Sequence, residues 1–146
     1  MRLLGIDHGS RRIGLAVSDS SGLVARELTI IRRKSKVEDF ARIRQIVHDE
    51  HIEAIVVGIP SNYEARAGQH SQAETVRKWV EQLAEHIDLP LVLWDEQLSS
   101  ADARELARSK RRKPSDPIDD LAARVILQSY LDAVRNGLAD PPALKR

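Results

Sequence analysis

The stretch Met1–Gly14, MRLLGIDHGSRRIG, opens with an apolar run, Leu3–Ile6, that ends on a carboxylate, Asp7. Gly9, the basic pair Arg11 and Arg12, and Gly14 follow. A buried strand normally excludes a carboxylate, because desolvating a charge is costly unless it is paired or metal-bound. An acid at the exit of such a strand, followed at once by glycines that let the backbone turn and approach a phosphate or metal, has the pattern of a site. The same letters also suit a strand running into a polar hairpin turn, so the rest of the chain has to decide between them.

Working outward, Ile13–Ser18 reads as a second, mostly apolar strand. Asp19–Gly22 reads as a turn, and Leu23–Arg32 as a third strand antiparallel to the second. Ser35 and Glu38 form a capping-box pattern that opens a helix through about His51, with Phe40, Ile43 and Val47 on or near one face. Ala54–Ile59 is all apolar, as in a strand buried on both faces, and Pro60 stops it. After a polar loop over 61–69, Ser71 and Glu74 offer a second capping box for a helix through about Ile87. Leu91–Trp94 is a fifth strand that ends on Asp95 and Glu96, and a short helix over about Ala101–Ser109 runs into the basic stretch Lys110–Lys113. Asp116 at N-cap with Pro117 in the first helical position predicts the start of a last helix, which runs to about Asn136 and is ended by Gly137.

The fold class that follows is α/β. An antiparallel meander feeding right-handed β-α-β crossovers gives a mixed five-stranded sheet flanked by helices, an order that matches the ribonuclease H-like architecture. Residues 1–137 are expected to form a single domain and 138–146 a C-terminal tail.

Three acidic positions fall where elements end or begin: Asp7, the pair Asp95 and Glu96, and Asp119 in the first turn of the last helix. Carboxyl ends of parallel strands point to one rim, and a helix laid across that rim can present Asp119 to the same spot. Ala122 and Ala123, on the Asp119 face, would let it approach closely. Converging carboxylates repel, so Asp7, Glu96 and Asp119 are the expected ligands of a divalent cation, Mg²⁺ or Mn²⁺, with Asp95 assisting. Each acid also has a local explanation: Asp119 is favourable at a helix N-terminus through the dipole, and Asp95 or Glu96 can cap the short helix. His8, Asp19 and His70 read as turn or surface residues. Arg11, Arg12, Lys110, Arg111, Arg112 and Lys113 flank the proposed site and are the expected nucleic-acid contacts, holding phosphates without reading sequence.

The 146 residues suit one core, and 23 Lys+Arg against 22 Asp+Glu exclude a bulk polycation, so any nucleic-acid surface must come from local clustering. With no cysteine, thiol nucleophiles, disulfides and Cys-rich zinc sites are excluded. Five aromatic residues (Phe40, Tyr63, Trp79, Trp94 and Tyr130) are too few for a dominant stacking platform. No apolar run approaches a membrane span, and the first strand follows a single basic residue, so the expectation is a cytoplasmic protein with no signal peptide and no membrane partner.

DHGSRRIG from Asp7 resembles the Asp-x-Gly-x-x-Arg-x-Gly signature of the YqgF/RuvX family. VVGIP at Val56–Pro60, WDEQLSSADA at Trp94–Ala103 and IDDLAARVILQSYLD at Ile118–Asp132 resemble its further motifs, in the family's order. The resemblance spans about residues 2–133. It implies a fold similar to Holliday-junction resolvases and a nuclease of pre-16S rRNA 5′-end maturation, with Asp7, Glu96 and Asp119 as metal-binding catalytic acids and Arg12 as the signature arginine. Two departures stand out. Gln97 replaces the arginine usual after Asp-Glu, and Gly58-Ile59-Pro60 lacks the acid that many ribonuclease H-like nucleases carry there, which makes Glu96 the expected substitute.

The implied partner is pre-16S rRNA, with branched DNA as the alternative substrate, and the chain is expected as a monomer or a weak homodimer. A non-catalytic rRNA-binding assembly factor on the same fold is the reading from another class. A kinase of the actin and sugar-kinase type, which also places an acid and glycines after its first strand, needs two domains that 146 residues do not supply.

Overall fold

The computed structural model describes residues 1–60, 72–95 and 99–143. Five strands, β1 (Leu3–His8), β2 (Arg12–Ser18), β3 (Ala25–Arg32), β4 (Ala54–Ile59) and β5 (Leu91–Asp95), form one sheet in the order β3-β2-β1-β4-β5. The meander β1-β2-β3 is antiparallel, whereas β4 pairs parallel with both β1 and β5. Among the described residues there are four helices, α1 (Lys36–Asp49), α2 (Gln72–Ala84), α3 (Ser99–Ser109) and α4 (Asp119–Arg135). The α/β class and the mixed five-stranded sheet are as the sequence predicts.

Alternation along the strands divides the apolar side chains between two faces. Leu4, Ile6, Ile55 and Val57 pack with Phe40, Ile43, Trp79 and Leu83 beneath α1 and α2. Leu3, Ala54 and Val56 pack with Ala123, Leu127 and Tyr130 of α4. Asp7 has the parity of Leu3, so it belongs to the α4 face. The interior strand β4 is buried along its whole length, which explains its unbroken apolar run.

Helix α4 lies almost directly on the sheet. A Cβ at Gly14 would sit 1.8 Å from the Asp119 carbonyl oxygen, and one at Gly5 would sit 2.7 Å from Leu127 Cβ. Gly14, expected to let the backbone approach a ligand, instead admits the first turn of a helix. The hairpin between β1 and β2 is closed by Gly9, whose N–H donates to the Arg12 carbonyl at 2.9 Å.

The predicted α1 cap forms, with Ser35 Oγ accepting from the Glu38 N–H at 3.2 Å. Ser71 and the loop over 61–69 lie outside the described residues. The start of α4 differs from its prediction. The Asp116 carboxylate accepts from the Lys113 N–H at 2.7 Å, a local turn that competes with capping. The helix begins at Asp119 after Ile118, which supplies no side-chain cap. Asp119 and Asp120 in the first turn interact favourably with the exposed N–H groups there. Beyond α4 the chain turns back: Tyr130 Oη donates to the Asp140 carbonyl at 2.7 Å, and Ala139 joins the α4-side cluster.

Candidate active site

Strand β1 delivers Asp7 to its carboxyl end, and the close seat of α4 on Gly14 delivers Asp119 beside it. Burial, and then the charge of Asp119, push the Asp7 carboxyl up to about 6. Asp7 is half-buried, and among the described residues its carboxyl has no hydrogen bond or ion pair. Asp119 is held from one side: Arg12 Nε donates to its Oδ2 at 2.9 Å. A carboxyl that ionises against its surroundings, with a second carboxylate beside it, has the electrostatic pattern of a functional site.

Asp95 ends β5 and is exposed. Val92 and Trp94 pack on the α4 side and Leu91 and Leu93 on the other, so Asp95 has the parity of the face opposite Asp7. Glu96, with Gln97, lies outside the described residues, as do His70 and Tyr63. Among the described residues no three of His, Asp and Glu gather closely enough to hold a metal ion. The structure thus brings Asp7 and Asp119 together and leaves Asp95 apart. Two carboxylates are hard oxygen donors of the kind that fit a divalent cation.

The basic residues separate into two groups. Arg112 makes a two-pronged pair with Asp120, Nη1 to Oδ1 at 2.7 Å and Nη2 to Oδ2 at 2.9 Å, and Lys110 Nζ lies 2.9 Å from Glu27 Oε2. Both are engaged in holding the 110–118 segment to the domain. Arg12, expected at a phosphate, is engaged with Asp119. Arg11, Arg111 and Lys113 are exposed and make no ion pair among the described residues. Arg111 has φ 59°, a left-handed turn that follows α3.

His8 is not a surface residue. It is 7% exposed and lies against Trp79 with ring centroids 4.7 Å apart. Burial, and then Arg33, push its imidazole down to about 4, so it is neutral near pH 7. Asp19 does act as a turn residue, accepting from the Leu23 and Val24 N–H groups at 2.8 and 3.1 Å.

Supporting residues carried little sequence signal. Arg33 Nη1 donates to the Gly9 carbonyl at 3.1 Å and Arg33 N–H to the Arg11 carbonyl at 2.9 Å, fixing the loop that follows Asp7. Glu27 receives Lys110 and Arg124. Burial, the largest single effect, would raise its carboxyl, but the hydrogen bond and charge of Lys110, a backbone hydrogen bond and the charge of Arg124 together outweigh it and hold the group below the usual range. An acid on a half-buried strand was the available clue for Glu27. Arg33, inside the run Arg32–Lys34, offered none.

The family model described as "RuvX: Holliday junction resolvase" matches residues 1–133. The chain belongs to the RuvX family. Among its relatives, a protein of Thermoanaerobacter pseudethanolicus named "Putative pre-16S rRNA nuclease" is 42% identical over 140 residues, covering 93% of this chain and 99% of the relative. A protein of the same name from Caldanaerobacter subterraneus subsp. tengcongensis is 44% identical over 143 residues, with the same coverage. These matches place the RuvX chain among nucleases. RuvC of T. thermophilus, solved in complex with a Holliday junction substrate, has the same fold, with a TM-score of 0.66 at 20% identity over 98% of this chain and 100% of RuvC. Among the described residues, this RuvX chain has no helix long and apolar enough to cross a membrane.

Proposed function

We propose that this chain is a metal-dependent nuclease that hydrolyses phosphodiester bonds of structured RNA in the 5′-end maturation of pre-16S rRNA, in the cytoplasm. The observation that carries the reading is the meeting of Asp7 and Asp119, with the Asp7 carboxyl pushed up to about 6 by burial and by its neighbour. The relatives' name supports the choice of RNA. Both acids come from one chain within residues 1–137, so a monomer suffices.

Asp7, Asp119 and Glu96 would hold Mg²⁺ or Mn²⁺. Glu96 is preferred to Asp95 because Asp95 has the parity of the face opposite Asp7. A bound divalent cation supplies stabilisation of charge at phosphorus and lowers the pKa of water. Hydrolysis would add water in line at phosphorus and break one P–O ester bond, with one water proton passing to the leaving oxygen, to give an alcohol and a phosphate monoester. Arg12 keeps the Asp119 carboxylate oriented at the end of β2. Arg11, Arg111 and Lys113 supply unpaired positive charge for the sugar-phosphate backbone.

The test is cleavage of a 5′-extended pre-16S rRNA fragment and of a four-way DNA junction, side by side, with Mn²⁺, Mg²⁺ or EDTA. Metal-dependent cutting of the RNA, lost in Asp7→Asn while binding persists, is expected. Cutting of the junction alone would replace this reading with a resolvase. Binding without cutting of either would replace it with an assembly factor.

A further inference from the structure

The end of α3 and the segment after it carry more positive charge than the fold uses. Lys110 and Arg112 are engaged by Glu27 and Asp120, but Arg104, Arg108 and Lys113 are exposed and have no ion pair among the described residues. Arg104 and Arg108 are one helical turn apart, so they share a face and repel each other. With Lys113 they rim a depression of about 570 Å³ whose apolar surface comes from Ala107, Pro114 and Ile118. Asp116 is the one acid among the lining residues, and its carboxylate already accepts from the Lys113 N–H. Ala107 and Ile118 are continuous with the small apolar cluster that joins α3 to α4, so this surface is fixed by packing.

A rim of three cations calls for a phosphate, and an apolar surface beside it calls for something flat and weakly polar. A nucleotide with an unstacked base satisfies both, its phosphate meeting the cations and its ring face covering the aliphatic surface. A base inside a duplex cannot reach such a surface, because both its faces are occupied by its neighbours. We propose that this depression holds one unpaired nucleotide of the substrate, its phosphate taken by Arg104, Arg108 and Lys113 and its base laid on Ala107, Pro114 and Ile118. The inference rests on the nuclease reading and gives it a substrate preference: RNA with a single-stranded residue near the cut, rather than continuous duplex.

Binding needs no metal, so it is measured in EDTA, separately from cleavage. Fluorescence anisotropy would follow a labelled single-stranded RNA and a blunt RNA duplex on the wild type and on Arg104→Ala, Arg108→Ala and Arg111→Ala. Arg111 lies outside the depression, and its variant reports the loss due to charge alone. Arg104→Ala and Arg108→Ala are each expected to weaken single-strand binding about tenfold and duplex binding about as little as Arg111→Ala does. Equal losses on both probes, or equal losses in Arg108→Ala and Arg111→Ala, would mean diffuse attraction and overturn the proposal. On the wild type, AMP should displace the single strand at lower concentration than inorganic phosphate. Equal displacement would leave no place for a base and also overturn it. A protein that binds as proposed but cuts nothing would fail only the catalytic reading.

Discussion

Asp119 and Asp120 stand side by side in the first turn of α4 and each faces an arginine, but successive helical positions point about 100° apart. Asp120 and Arg112 form a two-pronged pair whose side chains are 10% and 23% exposed. Asp119 and Arg12 meet through a single nitrogen, with side chains 19% and 44% exposed. The first pair ties the 110–118 segment to α4. In the second, Asp119 Oδ1 has no hydrogen bond among the described residues, and the charge of Asp119 acts on Asp7. The difference teaches that charge and position in sequence do not assign a role. What assigns it is how completely a partner satisfies the carboxylate.

The largest expected effect is on the structural pair. Asp120→Ala strands the Arg112 guanidinium in a half-buried position and should cost about 2–4 kcal/mol of folding stability, measured by urea denaturation in EDTA. A loss no larger than that of an exposed pair would remove the distinction drawn between the two acids.

Asp7→Asn should act in the opposite direction. The folded state holds the Asp7 proton more tightly than the unfolded state does, where the ordinary value of 3.8 applies, because the folded value is about 6. The stability this group contributes is therefore full below about pH 4 and is lost as pH rises through about 6. In EDTA at pH 7 the Asn variant should exceed the wild type by about 1–3 kcal/mol, and the gap should close towards pH 4. A variant less stable than the wild type at pH 7 would show that Asp7 is a structural residue.

Arg12→Ala should have the smallest effect on folding, about 0–1 kcal/mol, because its pair is exposed. Its consequence should appear in Mn²⁺ titration by calorimetry, where an unheld Asp119 binds metal with altered affinity, and Arg12→Lys should restore part of the change. A rise in KM for RNA with unchanged Mn²⁺ binding would instead make Arg12 a phosphate contact.

Most of the sheet was legible in the sequence because strand period and length are local properties. The unbroken apolar run Ala54–Ile59 marked an interior strand, and Ser35 with Glu38 marked the start of α1. The start of α4 was misread because Asp116 has two local partners open to it, and only the surrounding turn selects Lys113 over the helix. His8 was misread because one polar residue at a strand end carries no mark of which face it takes. At the site, Asp7 was legible as an acid closing an apolar strand. The separate roles of Lys110, Arg112 and Arg11 within the basic residues were not, since each letter there is equally positive.

By itself the sequence determined the element order, the absence of thiol chemistry, the family motifs and the candidate acids. All of these follow from residue type and spacing along the chain. Only the tertiary structure decided that Gly14 admits a helix rather than a ligand, that Asp119 meets Asp7, and which cations remain unpaired. Those outcomes depend on distances between residues far apart in sequence, and such distances are set by how α4 packs across the sheet.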